Sequence, residues 1–353
     1  MVIAEGEEVG LPGMGGDDKV HRAWFLLVKG LMDPSYSGFS GLRPSRQQKG
    51  ARTGHGVFAG FRRPGFAGCL VACATLLSCG RPRSQDEPVA VSNEFHNPQR
   101  VTIEGYDGDA MEPFLTRDGK ILFFNNLNEG KVNTNLHWAE RVDDLHFKYR
   151  GEVEGVNTAA LEGVASMDGG GNFYFVSNRS YDKTASTLYR GKFDAGRVTG
   201  IELVPGVSVA KPGIMNFDAE ISADGDTLYF VESQFNFMHQ PRSARILFAR
   251  RVGKTFVRDA RSEAVMKTIN RGKLNYAPAT GPGEREIFFT RVGSDGPVTY
   301  TAKRADKSLP FGEPQRIGAV TGFAEAPTLS PDGEALYFHK RDAGRFVIYR
   351  ITR

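Results

Sequence analysis

Residues 326–338 read Ala-Pro-Thr-Leu-Ser-Pro-Asp-Gly-Glu-Ala-Leu-Tyr-Phe, and this stretch decides the fold because four variants of it occur upstream. The variants are MEPFLTRDGKILFF (111–124), LEGVASMDGGGNFYF (161–175), DAEISADGDTLYF (218–230) and YAPATGPGEREIFF (276–289). They recur at intervals of roughly 50–60 residues, a period typical of propeller blades or solenoid turns. The repeat therefore indicates an architecture, but it contains no reaction of its own.

Each unit is predicted to contain four strands. In the third unit we expect Ala219–Ala223, Thr227–Glu232, Arg245–Val252 and Phe256–Ala264. Asp-Gly between apolar runs is a strong hairpin signal, because both residues tolerate a positive φ. The signal recurs as Asp118-Gly119, Asp168-Gly169, Asp224-Gly225 and Asp332-Gly333, with Gly283-Glu284 as the departure. The second strand of every unit ends in two aromatic residues, which predicts a sheet buried on both faces between neighbouring sheets.

The two ends of the repeat region complete each other. The last unit stops after its third strand, whereas NPQRVTIEG (97–105) precedes the first unit and parallels EPQRIGAVTG (313–322), the fourth strand of the fourth unit. A propeller closed by its N-terminal strand explains both the extra strand before the first unit and the missing fourth strand of the last unit. The sequence therefore predicts an all-β protein, a β-propeller of five blades with four antiparallel strands each, or six blades if two units have been merged.

The phrase S-x-D-G-x-x-L-Y-F, preceded by Glu-Pro or Ala-Pro, resembles the TolB-like β-propeller repeat, which is related in form to WD40 blades. The resemblance covers about residues 97–353. It implies a propeller fold, and such blades occur both in protein-binding periplasmic propellers and in the non-catalytic lids of serine peptidases. A peptidase of that kind also needs a G-x-S-x-G nucleophile motif, which this sequence lacks.

The N-terminal region carries an export signal. Residues 57–79 contain the pair Arg62-Arg63, a short apolar run and the ending Leu76-Leu77-Ser78-Cys79. This is the anatomy of a signal peptide, and its ending resembles a bacterial lipobox, which implies lipidation of Cys79. Residues 1–56 are then a disordered or mis-annotated extension, residues 80–96 a tether, and residues 97–353 the propeller. A lipid anchor would be the only attachment to a membrane.

Charge and cysteine content exclude several classes of protein. The chain has 353 residues and a formal net charge of +4, and residues 80–353 hold 36 basic against 35 acidic residues. Such a balance provides no basic surface for nucleic acid. The three cysteines, Cys69, Cys73 and Cys79, all precede the repeats, so no disulfide framework is possible there.

Candidate site residues follow from aligning the units on their turns. The alignment places Glu112, Glu162 and Asp218 at one equivalent position near the channel mouth, with Ala277 and Ala326 in the other two units. Clustered carboxylates can bind a hard cation such as calcium, act as the acid and base of a glycosidase, or serve the architecture alone. Further candidate binding residues at the same mouth are Glu220, Glu232, Tyr276, Arg291, Glu325 and His339.

The longest insertions, Pro205–Phe217, Ser233–Ser243 and Val265–Asn275, fall on the same side of the predicted disc and mark a binding face. The sequence thus predicts a monomeric, exported lipoprotein of the periplasm or outer membrane. It would be non-catalytic and would bind an envelope protein or glycan on its loop-rich face, with no cofactor unless calcium binds. The alternative is a carbohydrate-active enzyme that uses Glu112, Glu162 and Asp218.

Overall fold

The computed structural model describes residues 89–128, 133–211, 213–236 and 241–353. This part of the chain forms five β-sheets that surround one central channel. The segment before the first repeat contains β1 (Val91–Ser92), β2 (His96–Arg100) and β3 (Thr102–Glu104). Blade 1 contains β4 (Met111–Leu115), β5 (Ile121–Asn125), β6 (Leu136–Arg141) and β7 (His146–Glu152). Blade 2 contains β8 (Glu162–Met167), β9 (Asn172–Ser177), β10 (Leu188–Asp194) and β11 (Arg197–Leu203).

Blade 3 contains β12 (Ile214–Ile221), β13 (Thr227–Phe235), β14 (Pro241–Val252) and β15 (Thr255–Arg258). Blade 4 contains β16 (Asn275–Thr280), β17 (Glu286–Gly293), β18 (Gly296–Lys303) and β19 (Gln315–Ile317). Blade 5 contains β20 (Ala324–Leu329), β21 (Ala335–Asp342) and β22 (Arg345–Thr352). Helical structure in the described residues is limited to two four-residue helices, Tyr181–Thr184 and Ser262–Val265, and the 3-10 turn Pro282–Glu284. None of the described helices is long and apolar enough to cross a membrane.

The five first strands form the wall of the channel. Strand β4 contacts β8, β8 contacts β12, β12 contacts β16, β16 contacts β20, and β20 returns to β4. Within each blade the repeat strands pair in sequence order and antiparallel, from the innermost first strand outward. The prediction of a five-bladed propeller is therefore confirmed.

The N-terminal strand closes the ring as predicted. Strand β2 pairs antiparallel with β22 and supplies the fourth strand of blade 5. The same segment does more than the sequence indicated, because β1 pairs parallel with β19 of blade 4 and β3 pairs parallel with β7 of blade 1. Fourteen residues of chain thus fasten three blades at their outer edges, and the propeller begins at Val91, six residues before the expected boundary.

Hydrogen bonds within the turns explain the Ser-x-Asp-Gly phrase. In blade 5 the Asp332 side chain accepts from the Ser330 hydroxyl and from the Glu334 N–H, while Ser330 Oγ accepts from the Ala335 N–H. Blades 1 and 3 repeat these contacts. The glycine that follows takes a positive φ, as in Gly333 at 82°. Side chain and backbone together therefore form a small closed turn.

The hydrophobic core lies between neighbouring blades. Phe123 packs in the cluster shared by blades 1 and 2, whereas the adjacent Phe124 packs in the cluster shared by blades 5 and 1. In blade 5, Tyr337 packs in the cluster shared with blade 1, and Phe338 packs in the cluster shared with blade 4. The doubled aromatics thus bury both faces of a blade, as the sequence predicted, because successive strand residues point to opposite sides.

Two local expectations are corrected. The fourth strand of blade 3 ends at Arg258 and not near Ala264, because Ser262–Val265 turns into a helix. The propeller begins earlier than residue 97, as described above. The predicted extension (1–56), signal peptide (57–79) and lipidation site Cys79 lie outside the described residues, so they stay predictions.

Candidate functional site

A β-bulge interrupts the first strand of every blade. The pairing of β4 with β5 skips Glu112 and Pro113, and the same irregularity occurs in the other four blades. The bulged residue has a positive φ in each case, which is uncommon outside glycine. These five residues are Glu112, Val164, Asp218, Ala277 and Ala326, and all of them line the central channel. Proline follows in three blades, because a bulge needs no ladder N–H at that position.

Glu162 does not share this position, contrary to the alignment on turns. In blade 2 the positive-φ turn glycine is Gly171, and Asp168 occupies the place that Thr116 has in blade 1. The Asp168-Gly169 pair therefore lies two residues earlier in its turn than Asp118-Gly119, and Val164 takes the bulge. The Glu162 carboxylate instead accepts from Thr158 and from Ser177 Oγ, and it pairs with Arg179 at 3.0 Å. It is a buried structural carboxylate, fully supplied with donors.

Five buried polar residues meet near the channel end at which the first strand of each blade begins. We call Glu112, Asp218, Tyr276, Glu325 and His339 the acidic cluster, and none of them is more than 5% exposed. Glu112 and Asp218 come from the bulges of blades 1 and 3, and Glu325 precedes the bulge of blade 5. His339 is paired with Glu325 across β20 and β21. All five were predicted site residues, and the structure brings them together.

Among the described residues, no Lys or Arg is paired with the carboxyl groups of the cluster. Burial raises the pKa of Asp218 to about 7, although the Ala277 N–H donates to its Oδ2 at 2.8 Å. Burial also raises the pKa of Glu325 to about 8. The pKa of Glu112 is raised well above its ordinary value by burial first and then by the charges of Asp218 and Glu325. Desolvation and mutual repulsion both disfavour three negative charges here.

The tautomer of His339 follows from its contacts. The Glu112 N–H donates to His339 Nδ1 at 3.1 Å, so the neutral imidazole carries its proton on Nε2. Burial lowers the pKa of His339 to about 3, which keeps the ring neutral. Nε2 lies 4.0 Å from Glu325 Oε2 and has no hydrogen-bond partner among the described residues. His339 is therefore a donor directed at the carboxyl groups, and its lone pair is not free for a metal.

Little space remains around these groups. The channel cavity that Glu112 and Asp218 share has a volume of about 30 Å³ and is lined by all five first strands. One water molecule occupies about this volume in the liquid, so a sugar ring does not fit. The carboxyl groups that an enzyme of the predicted kind would use do not face an open pocket.

Glu220 separates this end of the channel from the other. Its side chain accepts from Arg117 Nη2 at 2.8 Å, from Ser166 Oγ at 2.9 Å and from the N–H and hydroxyl of Thr280. Arg117 in turn donates to the Ile221 carbonyl at 2.5 Å. Groups from four blades are tied together by one carboxylate, which lines the small channel cavity. Its partners Arg117 and Thr280 line the cavity at the opposite end.

The opposite end of the channel is an open cavity of about 700 Å³. It lies on the turn face, the side of the disc that carries the turns after the first strands, and residues of blades 1, 3, 4 and 5 line it. The lining residues are Thr116, Arg117, Ser222, Ala223, Asp224, Thr280, Gly281, Pro282, Gly283, Glu284, Arg285, Ala305, Asp306, Lys307, Leu329, Ser330 and Pro331.

Acidic and basic side chains of this cavity differ in their hydrogen bonds and ion pairs. Asp224 and Asp306 accept hydrogen bonds from their own turns, and Glu284 accepts from Thr227 and Tyr229 beneath the cavity. Arg285 is exposed and makes no ion pair among the described residues, and the side chain of Lys307 is 50% exposed, 3.7 Å from Glu284. Arg285 therefore remains available to a ligand, whereas Lys307 lies within ion-pair distance of the buried Glu284 carboxylate.

The two remaining predicted residues lie away from the channel. Glu232 is paired with Arg245 at 2.8 Å and Arg258 at 2.5 Å at the edge of blade 3. Arg291 donates to Asn275 Oδ1 and to the Ile269 carbonyl, and it lies over the rings of Phe289 and Tyr300. Arg291 thus fixes the 265–275 insertion to blade 4, so its role in the described structure is architectural.

Sequence reasoning missed the cavity on the turn face. Arg117, Arg285 and Lys307 were not among the predicted site residues, because the longest insertions in the sequence lie on the other side of the disc. A signal was present, since Gly283-Glu284 is the turn that departs from the Asp-Gly pattern. That departure creates the 3-10 turn Pro282–Glu284 and brings Arg285 to the rim.

Comparisons with known proteins agree with the fold. No protein-family model matches the chain, and no curated protein matches it in sequence. Zg3597, a family 117 glycoside hydrolase from Zobellia galactanivorans, superposes with a TM-score of 0.50 at 12% identity, over 74% of this chain and 91% of its own. A second solved structure, of a protein described only as a glycoside hydrolase, also gives a TM-score of 0.50 at 12% identity, over 74% and 92% of the two chains.

TolB from Acinetobacter baumannii is also similar, with a TM-score of 0.41 at 13% identity over 70% of this chain. The chain spans 55% of the length of that TolB. At these identities the likenesses show the fold alone. The class that fold and site define is a five-bladed β-propeller with a narrow acidic end and a wide polar end.

Proposed function

We propose that the protein is an exported, lipid-anchored and non-catalytic propeller that binds a protein partner of the cell envelope through the cavity on its turn face. The observation that carries this proposal is the contrast between the two channel ends. Two of the three predicted carboxylates, Glu112 and Asp218, line a space of about 30 Å³, whereas the opposite end opens into about 700 Å³. Ligand sites in proteins have volumes of roughly 300–1,000 Å³.

The chemistry of the cavity favours a segment of protein with acidic side chains. Arg285 and Lys307 are exposed at the rim, while the nearby carboxylates already accept hydrogen bonds from their own turns. None of the described residues that line the cavity is aromatic, so they offer a sugar no ring on which to stack. An extended acidic segment could place its carboxylates on the two cations and its backbone along the turns.

The loop-rich face is the other location for a partner, as the sequence predicted. One hollow of that side measures about 460 Å³ at the edge of blade 3, beside Glu232 and Arg258. Another, of about 510 Å³, lies between residues 100–110 and residues 345–348. Since Glu232 is already paired with two arginines, the hollow at blade 3 offers less free charge than the turn face.

Photo-crosslinking in cell-envelope extracts tests the proposal and the face together. A photoreactive amino acid at Ala305 of the full chain should capture a protein, and Arg285→Glu with Lys307→Glu should reduce that capture at least about tenfold. The matched control is Lys148→Glu with Lys254→Glu, which changes the same charge at exposed positions away from the cavity. Capture that persists in the cavity variant, or capture from Val209 instead, would move the partner to the loop-rich face.

Glycan turnover by the full chain tests the alternative enzyme. We expect no hydrolysis of envelope glycans by the wild type. Turnover that is lost in a folded Glu112→Gln, Asp218→Asn variant would replace the binding proposal by a glycosidase.

Fatty-acid labelling in a bacterial host tests the predicted export and lipid anchor. The wild type should incorporate label and remain with the membrane fraction, and Cys79→Ala should lose both properties. Labelling that persists in Cys79→Ala would contradict the predicted anchor.

A further inference from the structure

We propose that a groove between blades 2 and 3 binds the phosphate or sulfate ester of a sugar. The groove has a volume of about 320 Å³ and lies between strands β9, β10 and β11 of blade 2 and the turn that joins β14 to β15 in blade 3. It shares no lining residue with the cavity on the turn face. The inference is therefore separate from the partner proposed above, and its test needs no protein partner.

Positive charge prevails in this groove. Its charged lining residues are four cations and one carboxylate, namely Arg190, Lys192, Arg251, Lys254 and Glu202. By contrast, the cavity on the turn face and the two hollows of the loop-rich side are each lined by as many acidic as basic residues. A cleft lined by one sign of charge concentrates ions of the opposite sign. A ligand of this groove is therefore expected to carry negative charge.

The two arginines are recessed and held in place. The side chain of Arg190 is 15% exposed and donates to Glu202 Oε1 and to a carbonyl of the β14–β15 turn. The side chain of Arg251 is 26% exposed and donates to the Gly225 carbonyl at 2.6 Å and to the Tyr174 hydroxyl at 3.2 Å. The carboxylate oxygens nearest to Arg251 lie 3.8 and 4.0 Å away, so they make no hydrogen bond with it.

Each of these arginines keeps a donor for a ligand. Within the described parts of the chain, Nη1 of Arg190 and Nη1 of Arg251 make no hydrogen bond. A guanidinium that is already fixed loses little side-chain entropy when it binds an oxyanion, and its planar N–H groups match the oxygens of phosphate and sulfate.

Three further donors complete the groove. Lys192 Nζ donates to the Gly170 carbonyl, a neutral partner that leaves the charge of the lysine uncompensated. Lys254 is exposed and makes no ion pair with any described carboxylate. The Tyr174 hydroxyl accepts from Arg251, while its own proton has no acceptor in the described structure, although the residue is 1% exposed. Buried hydroxyl groups normally donate as well as accept, and an oxyanion in the groove would accept this proton.

The walls favour a polar molecule as the carrier of the anion. The described lining contains no aliphatic apolar residue, and three of its members are glycines, Gly191, Gly200 and Gly253. A Cβ at Gly200 or Gly253 would meet no atom within 4 Å, so the backbone is open to a ligand at both places. A lipid tail would find no apolar contact here, and a flat membrane surface would not reach the recessed Arg190. Sugar hydroxyls, however, can hydrogen-bond to the open backbone and to Thr199.

Calorimetric titration of the full chain tests the site with glucose 6-phosphate, glucose 6-sulfate, inorganic phosphate and glucose. We expect a sugar ester to bind at one site per chain with Kd at or below about 1 mM, and glucose not to bind. The ester that binds more tightly identifies the anion, because a phosphate ester carries about 1.5 to 2 negative charges at pH 7 and a sulfate ester carries a single one. Inorganic phosphate should bind more weakly than the tighter ester, since it makes no contact through a sugar.

Loss of the groove's donors should weaken binding. Lys192→Gln with Lys254→Gln should lower the affinity for the tighter ester at least about tenfold, because two charge-assisted contacts are lost. Tyr174→Phe should lower it about two- to tenfold through the loss of one hydrogen bond. The matched control is Lys148→Gln with Lys267→Gln, which removes the same charge at exposed positions outside the groove and should keep the wild-type affinity. Melting curves verify that every variant is folded.

One variant should strengthen binding. Glu202→Gln removes the only carboxylate that lines the groove and releases Arg190 from its ion pair, so the affinity for the ester should rise. Weaker binding in this variant would contradict the electrostatic argument. The proposal would be overturned by a wild type that binds neither ester, or by equal losses of affinity in the groove variant and in the Lys148, Lys267 control. Equal affinity for inorganic phosphate and both esters would also overturn it, because the sugar would then contribute nothing.

Discussion

The two ends of the central channel are built from the same strands and have opposite properties. At one end, the bulges bring Glu112 and Asp218 into a closed space of about 30 Å³. At the other, the turns after the same strands surround an open cavity of about 700 Å³ with cations at its rim. The difference shows that burial and not residue type decides what a polar group does. Enclosed carboxylates must find an internal partner, whereas exposed cations remain available to an external one.

The largest effect is expected at the boundary between the two ends. Glu220→Ala removes the acceptor of Arg117, Ser166 and Thr280, and it leaves a guanidinium with 19% exposure unpaired. We expect a loss of about 3–5 kcal/mol in the free energy of unfolding, measured by urea denaturation. Arg117→Ala should cost less, because Glu220 keeps its other donors. An Arg117→Ala loss equal to that of Glu220→Ala would contradict this role.

A smaller effect is expected beneath the open cavity. The hydroxyl of Tyr229 donates to Glu284 at 2.8 Å and accepts from Arg304 Nη2 at 2.9 Å, with the residue fully buried. Tyr229→Phe should cost about 1–3 kcal/mol of unfolding free energy, because both partners lose a hydrogen bond in a buried place. Tyr337→Phe is the control, since that hydroxyl donates to the Asp144 carbonyl in a partly buried place and should cost less. Equal losses of unfolding free energy in the two variants would show that the hydrogen bonds of Tyr229 contribute no more to stability than the hydrogen bond of Tyr337.

The contrast between paired and unpaired carboxylates can be sharpened with pH. Burial raises the pKa of Glu232, but the hydrogen bonds and charges of Arg245 and Arg258 outweigh it and lower the pKa below its ordinary value. The folded state therefore binds the proton less tightly than the unfolded state, and Glu232 stabilises the fold above the unfolded pKa. This contribution is lost as pH falls from about 5 through the folded pKa. The stability difference between wild type and Glu232→Gln should shrink from about pH 6 to about pH 3, and a constant difference would contradict the assignment.

The smallest effect on stability is expected at the rim of the open cavity. Arg285→Ala with Lys307→Ala should change the free energy of unfolding by no more than about 0.5 kcal/mol, because both side chains reach solvent. Thermal unfolding measures this directly. A clear loss of stability would show that these cations stabilise the fold. Loss of crosslinking in the Arg285→Glu, Lys307→Glu variant would then not identify a binding site.

Much of the architecture was predictable because it rests on local chemistry repeated five times. The turn phrase is stabilised by contacts within five residues, as in Ser330, Asp332 and Ala335. The doubled aromatics follow from strand alternation, and the closing strand follows from the unmatched segment at each end of the repeats. Glu112, Asp218, Tyr276, Glu325 and His339 were all among the predicted site residues, and they do meet.

Other features could not be predicted from the sequence. Glu162 was misplaced because Asp168-Gly169 lies two residues earlier in its turn than Asp118-Gly119, so an alignment on these pairs misses the bulge at Val164 by two residues. Spacing alone cannot tell which glycine takes the positive φ. The parallel pairing of β1 and β3 with neighbouring blades was also missed, since short edge strands carry no pattern of their own.

By itself the sequence determined the turns, the closure and a count of five blades with six left open, because each depends on contacts that are close along the chain or repeated at a fixed period. Only the tertiary structure decided which carboxylates have arginine partners and which face each other in a closed space. Those partners, such as Arg117 for Glu220 and His339 for Glu112, come from strands more than 100 residues apart. Burial and charge balance arise only when five blades meet on one axis.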